Sequence, residues 1–291
     1  SRRKKASEEE EARTTHWGSE VGVKPDGTIR LVVDNVNSVR LRHHKNGKIT
    51  ALRKFVREIE ADIYGMSEVR VNWSAVPKEN RIHELLRTET QLRTVTAHNR
   101  HENDGEIQEG GVAAAAFDKC ATEVKENGRD KSGLGRWVWF KFTNQQGHHT
   151  RVVITYQPVR AGAERPTATY RQQKRYLRLT QERVECPREA FARDLTAQLK
   201  DWRLQDNLIV LAGNFNKNTN GRLERALVQP GIELRNVMKK KHPRNPLQPT
   251  HYEGSQPIDG MVTTPEINAK AISYLAKGWG IGDHRTMVID L

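Results

Sequence analysis

Polar side chains stand directly after several short apolar runs of the sequence, as Asn35 does after LVVD and Asn214 after IVLAG. The full set is Asn35, Asn37, Glu68, Tyr156, Asn214, Asn216, Asp259, Asp283 and His284. Taken singly, each is most simply a turn cap or a solvated strand end, because Asn and Asp commonly terminate strands. Together they supply carboxylates, amides, a phenol and an imidazole, without a lysine or a Ser or Cys nucleophile paired with a base. Such a set suits a hard cation like Mg²⁺ and an activated water rather than a covalent intermediate.

The elements that must position these side chains are short strands and amphipathic helices. Runs rich in β-branched and aromatic residues, bounded by Gly, Pro or Asn, predict strands. These runs span residues 29–36, 63–69, 111–117, 137–142, 151–158, 207–215, 258–264 and 287–291. Apolar residues at helical spacing predict helices over 51–60, 170–184 and 188–202. Hairpin-like pairs in the middle and crossover helices at both ends favour an α/β fold with mixed sheets.

The chain divides into a tail and one large domain. Residues 1–20 pair a basic cluster with an acidic run and offer almost nothing apolar to bury, which predicts a disordered charged tail. Residues 21–291 are within the length range of one α/β domain. The two cysteines, Cys120 and Cys186, cannot form a disulfide framework or a zinc site of their own, so a reducing compartment is the simplest setting.

The apolar runs are too short to span a membrane, and no apolar segment follows the basic N terminus as a secretory signal would require. We therefore expect an intracellular protein, nuclear or cytoplasmic, with no membrane partner.

The net charge of the 291-residue chain indicates a polyanionic partner. Its 49 Lys and Arg against 36 Asp and Glu give a formal charge of +13. An excess of this size favours phosphate-rich ligands, because each neutralised phosphate releases condensed counterions. Two basic segments stand beside the polar strand ends and comprise Arg160, Arg165, Arg171, Lys174 and Arg175, and Lys239, Lys240, Lys241, His242 and Arg244. We expect them to bind the backbone of DNA, with RNA left open.

Six motifs resemble, in order, those of the endonuclease/exonuclease/phosphatase superfamily. The matching segments are DNVNSVR, IYGMSEV, VVITYQP, VLAGNFN, PIDGMV and GIGDHRTMVIDL. The Asn-Val-Asn opening is most similar to endonucleases of non-LTR (LINE-type) retrotransposons, and YRQQKRYL resembles a helix of abasic-site endonucleases. The resemblance covers nearly the whole chain after the tail. It implies a four-layer α/β sandwich of two face-to-face mixed β-sheets flanked by helices, with the site at one edge.

The resemblance also implies a metal site and a catalytic histidine. Glu68 would be the principal ligand of Mg²⁺, with Mn²⁺ as an alternative, and Asn37 and Asp283 would contribute nearby. His284 would donate to a phosphate oxygen while Asp259 accepts from its other ring nitrogen.

The remaining polar residues are implied to hold the phosphate. Asn35, Tyr156 and Asn216 would do so by hydrogen bonds that tighten as negative charge builds. In-line attack by water would leave a 3′ hydroxyl and a 5′ phosphate.

One departure from the superfamily pattern bears on activity. The superfamily has an aspartate at the position of Asn214, where it orients and deprotonates the attacking water. An amide cannot accept that proton, and general-base catalysis typically contributes roughly 10²- to 10⁴-fold, so the chain as written is expected to be nearly inactive. An engineered replacement of Asp by Asn is the favoured interpretation, and a naturally degenerate copy is the alternative.

Three smaller departures limit the transfer of roles. Val159 follows Tyr-x-Pro where the nucleases usually have a phosphate-contacting Asn, so Arg160 is the candidate for that contact. Gly260 follows the Ile-Asp motif where retrotransposon members often have His or an aromatic residue, which predicts a more open loop. Gly282 replaces the Ser that usually precedes Asp-His, which removes a hydroxyl but no ligand.

Three functions remain open from the sequence. The first is a Mg²⁺-dependent DNA endonuclease most like the target-nicking domain of a retrotransposon, in which case the chain is a monomeric fragment of a polyprotein with a reverse transcriptase. The second is a phosphatase or lipid phosphodiesterase on the same scaffold, which the charge of +13 argues against. The third is a non-catalytic nucleic-acid-binding module in which Asn214 is native.

Overall fold

The computed structural model describes residue 10 and residues 14–39, 47–87, 90–102, 105–180, 186–216 and 222–291. In chain order its strands are β1 (Trp17–Gly18), β2 (Arg30–Asn35), β3 (Ile63–Ser67), β4 (Leu92–Ala97), β5 (Val112–Phe117), β6 (Val124–Arg129), β7 (Trp137–Thr143), β8 (His149–Tyr156), β9 (Leu208–Asn214), β10 (Arg235–Asn236), β11 (Asp259–Thr263), β12 (Ala271–Tyr274) and β13 (Met287–Asp290). Its α-helices are α1 (Lys48–Glu58), α2 (Ile82–Leu86), α3 (Asp118–Glu123), α4 (Thr169–Thr180), α5 (Pro187–Leu204), α6 (Arg222–Leu227) and α7 (Val237–Lys241). A 3₁₀ turn spans Lys78–Asn80.

The strands form two mixed sheets that pack face to face. The first sheet has the order β1-β12-β13-β2-β3-β5-β4 and the second has the order β10-β11-β9-β8-β7-β6. One apolar cluster lies between them and includes Leu31 and Ile63 of the first sheet with Ile154 and Val210 of the second. Because side chains alternate along a strand, the intervening residues face outward and need a second cover.

Helices provide that cover on both outer faces. Leu52 and Phe55 of α1 pack with Val32 of β2 in one outer cluster. Phe191 and Leu195 of α5 lie in the other, together with residues of the second sheet. Each such buried side chain contributes roughly 1.5–3 kcal/mol relative to exposure. The order helix, sheet, sheet, helix confirms the four-layer α/β sandwich.

All eight predicted strands are present, and their ends fall within two residues of the predicted bounds. The predicted helices are α1, α4 and α5, although residues 181–184 of the segment 170–184 lie outside the described residues. Five strands escaped prediction, namely β1, β4, β6, β10 and β12. The edge strands β4 and β6 consist largely of exposed or half-buried residues. The other three strands are four residues long or shorter. Neither group therefore produces a sustained apolar run in the sequence.

The boundary of the charged tail was wrong. Trp17 lies in β1, which pairs antiparallel with β12, and only 7% of its surface is exposed. Its indole Nε1 donates to the main-chain oxygen of Pro246 at 3.0 Å, and its ring packs against Tyr274. Strand pairing and the packing of Trp17 together attach this polar segment to the sheet edge. Residues 1–9 and 11–13 lie outside the described residues.

The topology brings the ends of several strands to one edge of the sandwich, here called the site edge. β2 runs parallel to β3, and β8 runs parallel to β9, so each pair ends together. In the second sheet Asn214 lies opposite both Tyr156 and Asp259. β13 starts opposite Val33, which places the residues just before it at the same edge. No helix in the described part of the chain is long and apolar enough to cross a membrane.

Candidate active site

A continuous chain of polar contacts joins five predicted site residues at the site edge. The Tyr156 hydroxyl donates to Glu68 Oε1 at 2.7 Å, and Asn35 Nδ2 donates to Glu68 Oε2 at 2.8 Å. Asn35 Nδ2 also lies 3.3 Å from His284 Nε2, and His284 Nδ1 lies 2.6 Å from Asp259 Oδ2. Residues up to 249 positions apart in sequence therefore share one polar cluster. Glu68 and His284 occupy the same site, as the sequence predicted.

The backbone is unusual at three members of the site. Asn37, Glu68 and Asn216 have φ angles of 40°, 52° and 46°, in the left-handed region. Asn tolerates this region better than most residues, but Glu seldom adopts it. Beyond the strand ends, Ser38 N still donates to the main-chain oxygen of Glu68 at 2.7 Å, which holds the loop after β3 against the loop after β2. A left-handed conformation at a non-glycine residue is strained and persists only where the surrounding structure holds it. Such residues cluster at functional sites.

A second group of ligand-type side chains lies beside this chain. Asn37 Nδ2 donates to Asp283 Oδ2 at 2.8 Å, and the same oxygen is 3.7 Å from His251 Nε2. Ligand atoms of His251, Asp283 and His284 lie within 4.8 Å of one another. Asp283 Oδ1 is buried and accepts no hydrogen bond from the described residues. The imidazole of His251, the unused oxygen of Asp283 and the nearby Glu68 form a set that could hold a divalent ion.

The environment of His284 favours its charged form. Burial by itself lowers the pKa of this imidazole, but the negative charge and hydrogen bond of Asp259 outweigh burial, with further help from Asp283 and Glu68. The pKa of His284 is thereby raised from 6.5 to about 9. With Nδ1 donating to Asp259, the Nε2 side of the ring faces Asn35 and the rest of the cluster. The protonated ring is suited to donate to an anion placed there.

Asn214 is buried with half of its amide unsatisfied. Only 1% of its surface is exposed, and its Oδ1 accepts from Asn216 N at 2.7 Å. Its Nδ2 is buried and has no hydrogen-bond partner among the described residues. A buried donor without a partner is costly, whereas a carboxylate at the same place would accept the Asn216 N–H and carry no unpaired donor. The surroundings therefore fit an aspartate at least as well as an asparagine.

Asn216 is held by its neighbours in the second sheet. Its Nδ2 donates to the main-chain oxygen of Gln157 at 2.7 Å. Arg188 NH2 donates to the main-chain oxygen of Asn216 at 3.0 Å and to Gln157 Oε1 at 3.1 Å. The amide that was predicted to hold phosphate keeps one further N–H for that role. Burial lowers the pKa of Arg188.

Several residues of the site were missed from the sequence. Arg188 stands at the start of a helix, and His251 lies in an irregular segment bridged to His284. Asp34 was read as part of an apolar strand, yet its buried Oδ2 accepts from Ile281 N at 2.8 Å and from the Tyr64 hydroxyl at 3.2 Å. Burial raises the pKa of Asp34 to about 6, against these hydrogen bonds. The only sequence signal for His251 was its position three residues before a Gly and close to the Ile-Asp motif. That spacing is not distinctive enough to predict a site residue.

The structure explains one of the three smaller departures from the superfamily pattern and shows the setting of the other two. A Cβ at Gly282 would overlap the main-chain oxygen of Asn35, so a serine would not fit in this geometry. Gly260 lies within β11, opposite Gly213, and the expected open loop at this position was wrong. Val159 is 49% exposed, and the Arg160 side chain next to it hydrogen-bonds Cys186 and Tyr170.

The two basic segments occupy different parts of the molecule. Thr169, at the start of α4, lies against Gly110 and the Tyr156 ring, so the segment around Arg165 and Arg171 adjoins the site. Arg175 in the same helix pairs with Glu102 at 2.8 Å.

The other segment includes α7, which contacts β11 of the second sheet and β12 of the first. Lys239 pairs with Glu224 at 3.5 Å, while Lys240 and Lys241 are exposed. His242 packs against Trp17. No contact among the described residues joins Lys239, Lys240 or Lys241 to the polar cluster, so their placement beside the site stays a prediction.

Comparison with known proteins identifies the fold. A scan against family models and a search of curated proteins found no match. Among solved structures, the AP endonuclease LMAP from Leishmania major has a TM-score of 0.67 at 12% identity and covers 91% of this chain and 87% of its own. The human Nocturnin catalytic domain has a TM-score of 0.63 at 11% identity, with coverages of 96% and 97%. The 3′ phosphatase NExo from Neisseria, bound to a product DNA hairpin, has a TM-score of 0.60 at 13% identity, with coverages of 90% and 98%.

Identities this low establish the fold. The chain has the α/β sandwich of endonuclease/exonuclease/phosphatase proteins, which confirms the fold that its motifs implied. The activity of the chain is a separate question.

Replacing Gly282 by Ala should displace the segment that carries Asp283 and His284, because the added Cβ meets the main-chain oxygen of Asn35. We expect a loss of about 1–3 kcal/mol in the free energy of unfolding, measured by urea denaturation. Gly22→Ala is the matched control, since a Cβ there meets nothing within 4 Å. Equal stability of the two variants would contradict the close approach.

The raised pKa of His284 should make stability depend on pH. The folded-state pKa of about 9 exceeds the unfolded value of 6.5, so the stabilisation is fully present below pH 6.5 and is lost as the pH rises to about 9. In metal-free buffer we expect the free energy of unfolding to fall by on the order of 3 kcal/mol over this range. His284→Gln should remove most of this fall, whereas the exposed His148→Gln should keep it. An identical pH profile for the chain with and without His284 would contradict the assignment.

Proposed function

We propose that this chain is built as a divalent-metal-dependent phosphodiesterase that cleaves DNA. The observation that carries the proposal is the chain of close polar contacts from Tyr156 through Glu68, Asn35 and His284 to Asp259. It combines a carboxylate suited to a hard cation with a carboxylate-oriented imidazole suited to an anion. A phosphate ester with its bound cation presents both charges to such a site.

The metal would be Mg²⁺, with Mn²⁺ as the alternative. Glu68 and Asp283 would hold it, with Asn37 as a neighbouring oxygen ligand. The unused, buried Oδ1 of Asp283 supports this assignment, because a carboxylate oxygen with no donor is stabilised by a cation. When bound, the ion would polarise the scissile phosphate and stabilise the leaving oxygen. His251, which lies within the same group of ligand atoms, is a further candidate for this site.

The chain's own residues would orient the phosphate and stabilise its developing charge. His284 would donate from Nε2 to a non-bridging oxygen, and Asp259 would keep the ring in position and charged. Asn35, Tyr156 and Asn216 would donate further hydrogen bonds. The attacking water would lie near residue 214, and the products would carry a 3′ hydroxyl and a 5′ phosphate. The Asn214 amide cannot take the proton of that water, so the chain as written should be weak or inactive.

DNA is the preferred substrate on the grounds of charge and of the proteins that share the fold. The net charge is +13, and the basic segment around α4 adjoins Tyr156. Structurally similar proteins include an AP endonuclease and a phosphatase bound to a DNA hairpin. We further propose a target-nicking role in a LINE-type retrotransposon, within a longer polyprotein that includes a reverse transcriptase and acts inside the cell. The Asn-Val-Asn motif at residues 35–37 supports this role.

A second candidate function is a non-catalytic nucleic-acid-binding module. The observation that favours it is Asn214 itself, because every other member of the cluster is in place while the residue needed to activate water is an amide. The two candidates differ in what restoring a carboxylate at this position does.

Asn214→Asp should convert the chain into a Mg²⁺-dependent nuclease. The carboxylate can accept the proton of the attacking water, so we expect the rate of nicking of supercoiled plasmid to rise by roughly 10²- to 10⁴-fold. EDTA should abolish the activity of this variant. Asn127→Asp is the control, because it makes the same change of charge at an exposed position in β6.

The outcome separates the candidate functions. If Asn214→Asp leaves plasmid, abasic duplex and single-stranded RNA intact with Mg²⁺ and with Mn²⁺, the nuclease proposal is wrong. Cleavage of a phosphoinositide in place of nucleic acid would support a lipid phosphodiesterase instead.

The basic segment of α7 can be tested by the salt dependence of binding. Replacing Lys239, Lys240 and Lys241 by Ala should weaken DNA binding and reduce the slope of log K against log salt by up to about 3, because each phosphate contact contributes about 0.9 on duplex DNA. The matched control replaces Lys119, Lys125 and Lys131 by Ala, with the same change in net charge. An unchanged slope in the α7 variant would show that this segment does not bind the DNA backbone.

A further inference from the structure

Trp279 is exposed at the surface although five other tryptophans of the chain are buried or half-buried. Its exposed fraction is 60%, whereas Trp17, Trp73, Trp137 and Trp202 are each exposed by 7% or less. An exposed aromatic ring on a fixed segment offers a flat face on which a ligand ring can stack.

The segment that carries Trp279 is held firmly on its outer side. Gly278 N donates to the Tyr252 hydroxyl at 2.7 Å, and the Lys277 ammonium lies 4.9 Å from the centre of the Tyr252 ring. Ala276 N donates to His16 Nδ1 at 2.8 Å, and the His16 ring meets the Trp279 ring edge-on at 4.8 Å between centroids. Tyr252 is therefore a packed residue that supports the segment.

The same segment is held against the site on its inner side. Ile281 N donates to Asp34 Oδ2 at 2.8 Å, and Gly282 is in contact with the main-chain oxygen of Asn35. Tyr252 N donates to the main-chain oxygen of Asp283 at 3.1 Å. Trp279, four residues before Asp283, is thus a fixed part of the rim of the candidate active site.

The surroundings of Trp279 are polar. The other exposed large hydrophobic side chains among the described residues are Val23, Ile29, Ile107, Val159, Leu179, Leu204 and Val228, and none belongs to this segment. Its ring contacts that of His16, and the ammonium of Lys277, two residues before it, lies over the Tyr252 ring. An apolar patch suited to a protein partner is therefore lacking in the described part of this surface. A single exposed indole near a lysine, at the rim of the candidate active site, combines the aromatic face and positive charge by which proteins bind unpaired bases through stacking.

We infer that Trp279 stacks on an unpaired nucleobase adjacent to the phosphate bound in the site. The inference rests on the proposed function in that it takes the ligand to be a nucleic acid, and it specifies that the strand near the cleaved bond is single-stranded or has a base turned out of the helix. Trp279 would then select substrates with such a base over fully paired duplex. The phosphate contacts would be the same for both kinds of substrate.

Tryptophan emission tests the contact directly, without any need for catalysis. The chain with Asn214 is titrated in EDTA with oligodeoxythymidine, in which every base is unpaired. Stacking should quench the emission of the exposed indole, and Trp279→Phe should remove that quenching while keeping most of the affinity. Since no cleavage is measured, an inactive chain does not affect the result.

The affinities of variants complete the test. Trp279→Ala should weaken binding of oligodeoxythymidine by about tenfold or more, because a stacked base contributes about 1–3 kcal/mol. Leu204→Ala is the matched control, as it removes an 85% exposed side chain at the end of α5. It should leave binding unchanged.

Three outcomes would overturn the inference. The first is that Trp279→Ala and the unsubstituted chain bind oligodeoxythymidine with equal affinity. The second is that the quenching persists in Trp279→Phe. The third is that the chain forms a concentration-dependent dimer that Trp279→Ala abolishes. If oligodeoxythymidine binds as expected but Asn214→Asp does not cut DNA, the stacking contact stands and the proposed catalysis fails. If Asn214→Asp cuts DNA and Trp279→Ala binds normally, the proposed function stands and the stacking contact fails.

Discussion

Two short hydrogen bonds between the sheets hold the candidate site together. Tyr156, at the end of β8 in the second sheet, donates to Glu68, which follows β3 in the first. Asp259 of the second sheet accepts from His284, which precedes β13 of the first. Elsewhere the sheets meet through apolar side chains, but at this edge charged and polar groups replace them. Buried polar groups are costly unless they are paired, so each partner holds the other's side chain in position. The distance between the two sheets sets the positions of both partners.

The sequence predicted the central strands and the residues of this edge because both depend on local patterns. A buried strand needs a sustained apolar run, and β2, β3, β8 and β9 each have one followed by a polar residue. Edge strands such as β4 and β6 need no such run and were missed. Residues that act through distant partners were missed as well, since Asp34, Arg188 and His251 have neighbours that only the tertiary structure brings close. The requirement for Gly282 likewise arises from a contact with a strand 247 positions away in sequence, at Asn35.

Asn214 shows how independent the fold is of the group that would perform catalysis. Its Oδ1 keeps the hydrogen bond to Asn216 N that a carboxylate oxygen would make, so the turn after β9 is preserved. The difference between amide and carboxylate is confined to the second atom, the buried Nδ2 with no partner among the described residues. A site can therefore retain its shape and its His284–Asp259 pair while lacking a carboxylate at this position.

The short strand β1 links the N-terminal region to the rim of the site. Its Trp17 packs against Tyr274, whose hydroxyl donates to the main-chain oxygen of Asp259, and the neighbouring His16 accepts from Ala276. A polypeptide trimmed to begin at residue 21 would lose both supports, so shortening this charged region to improve expression would loosen the loop that bears His284. Residues 16 and 17 thus couple the N-terminal region to the rim of the candidate site.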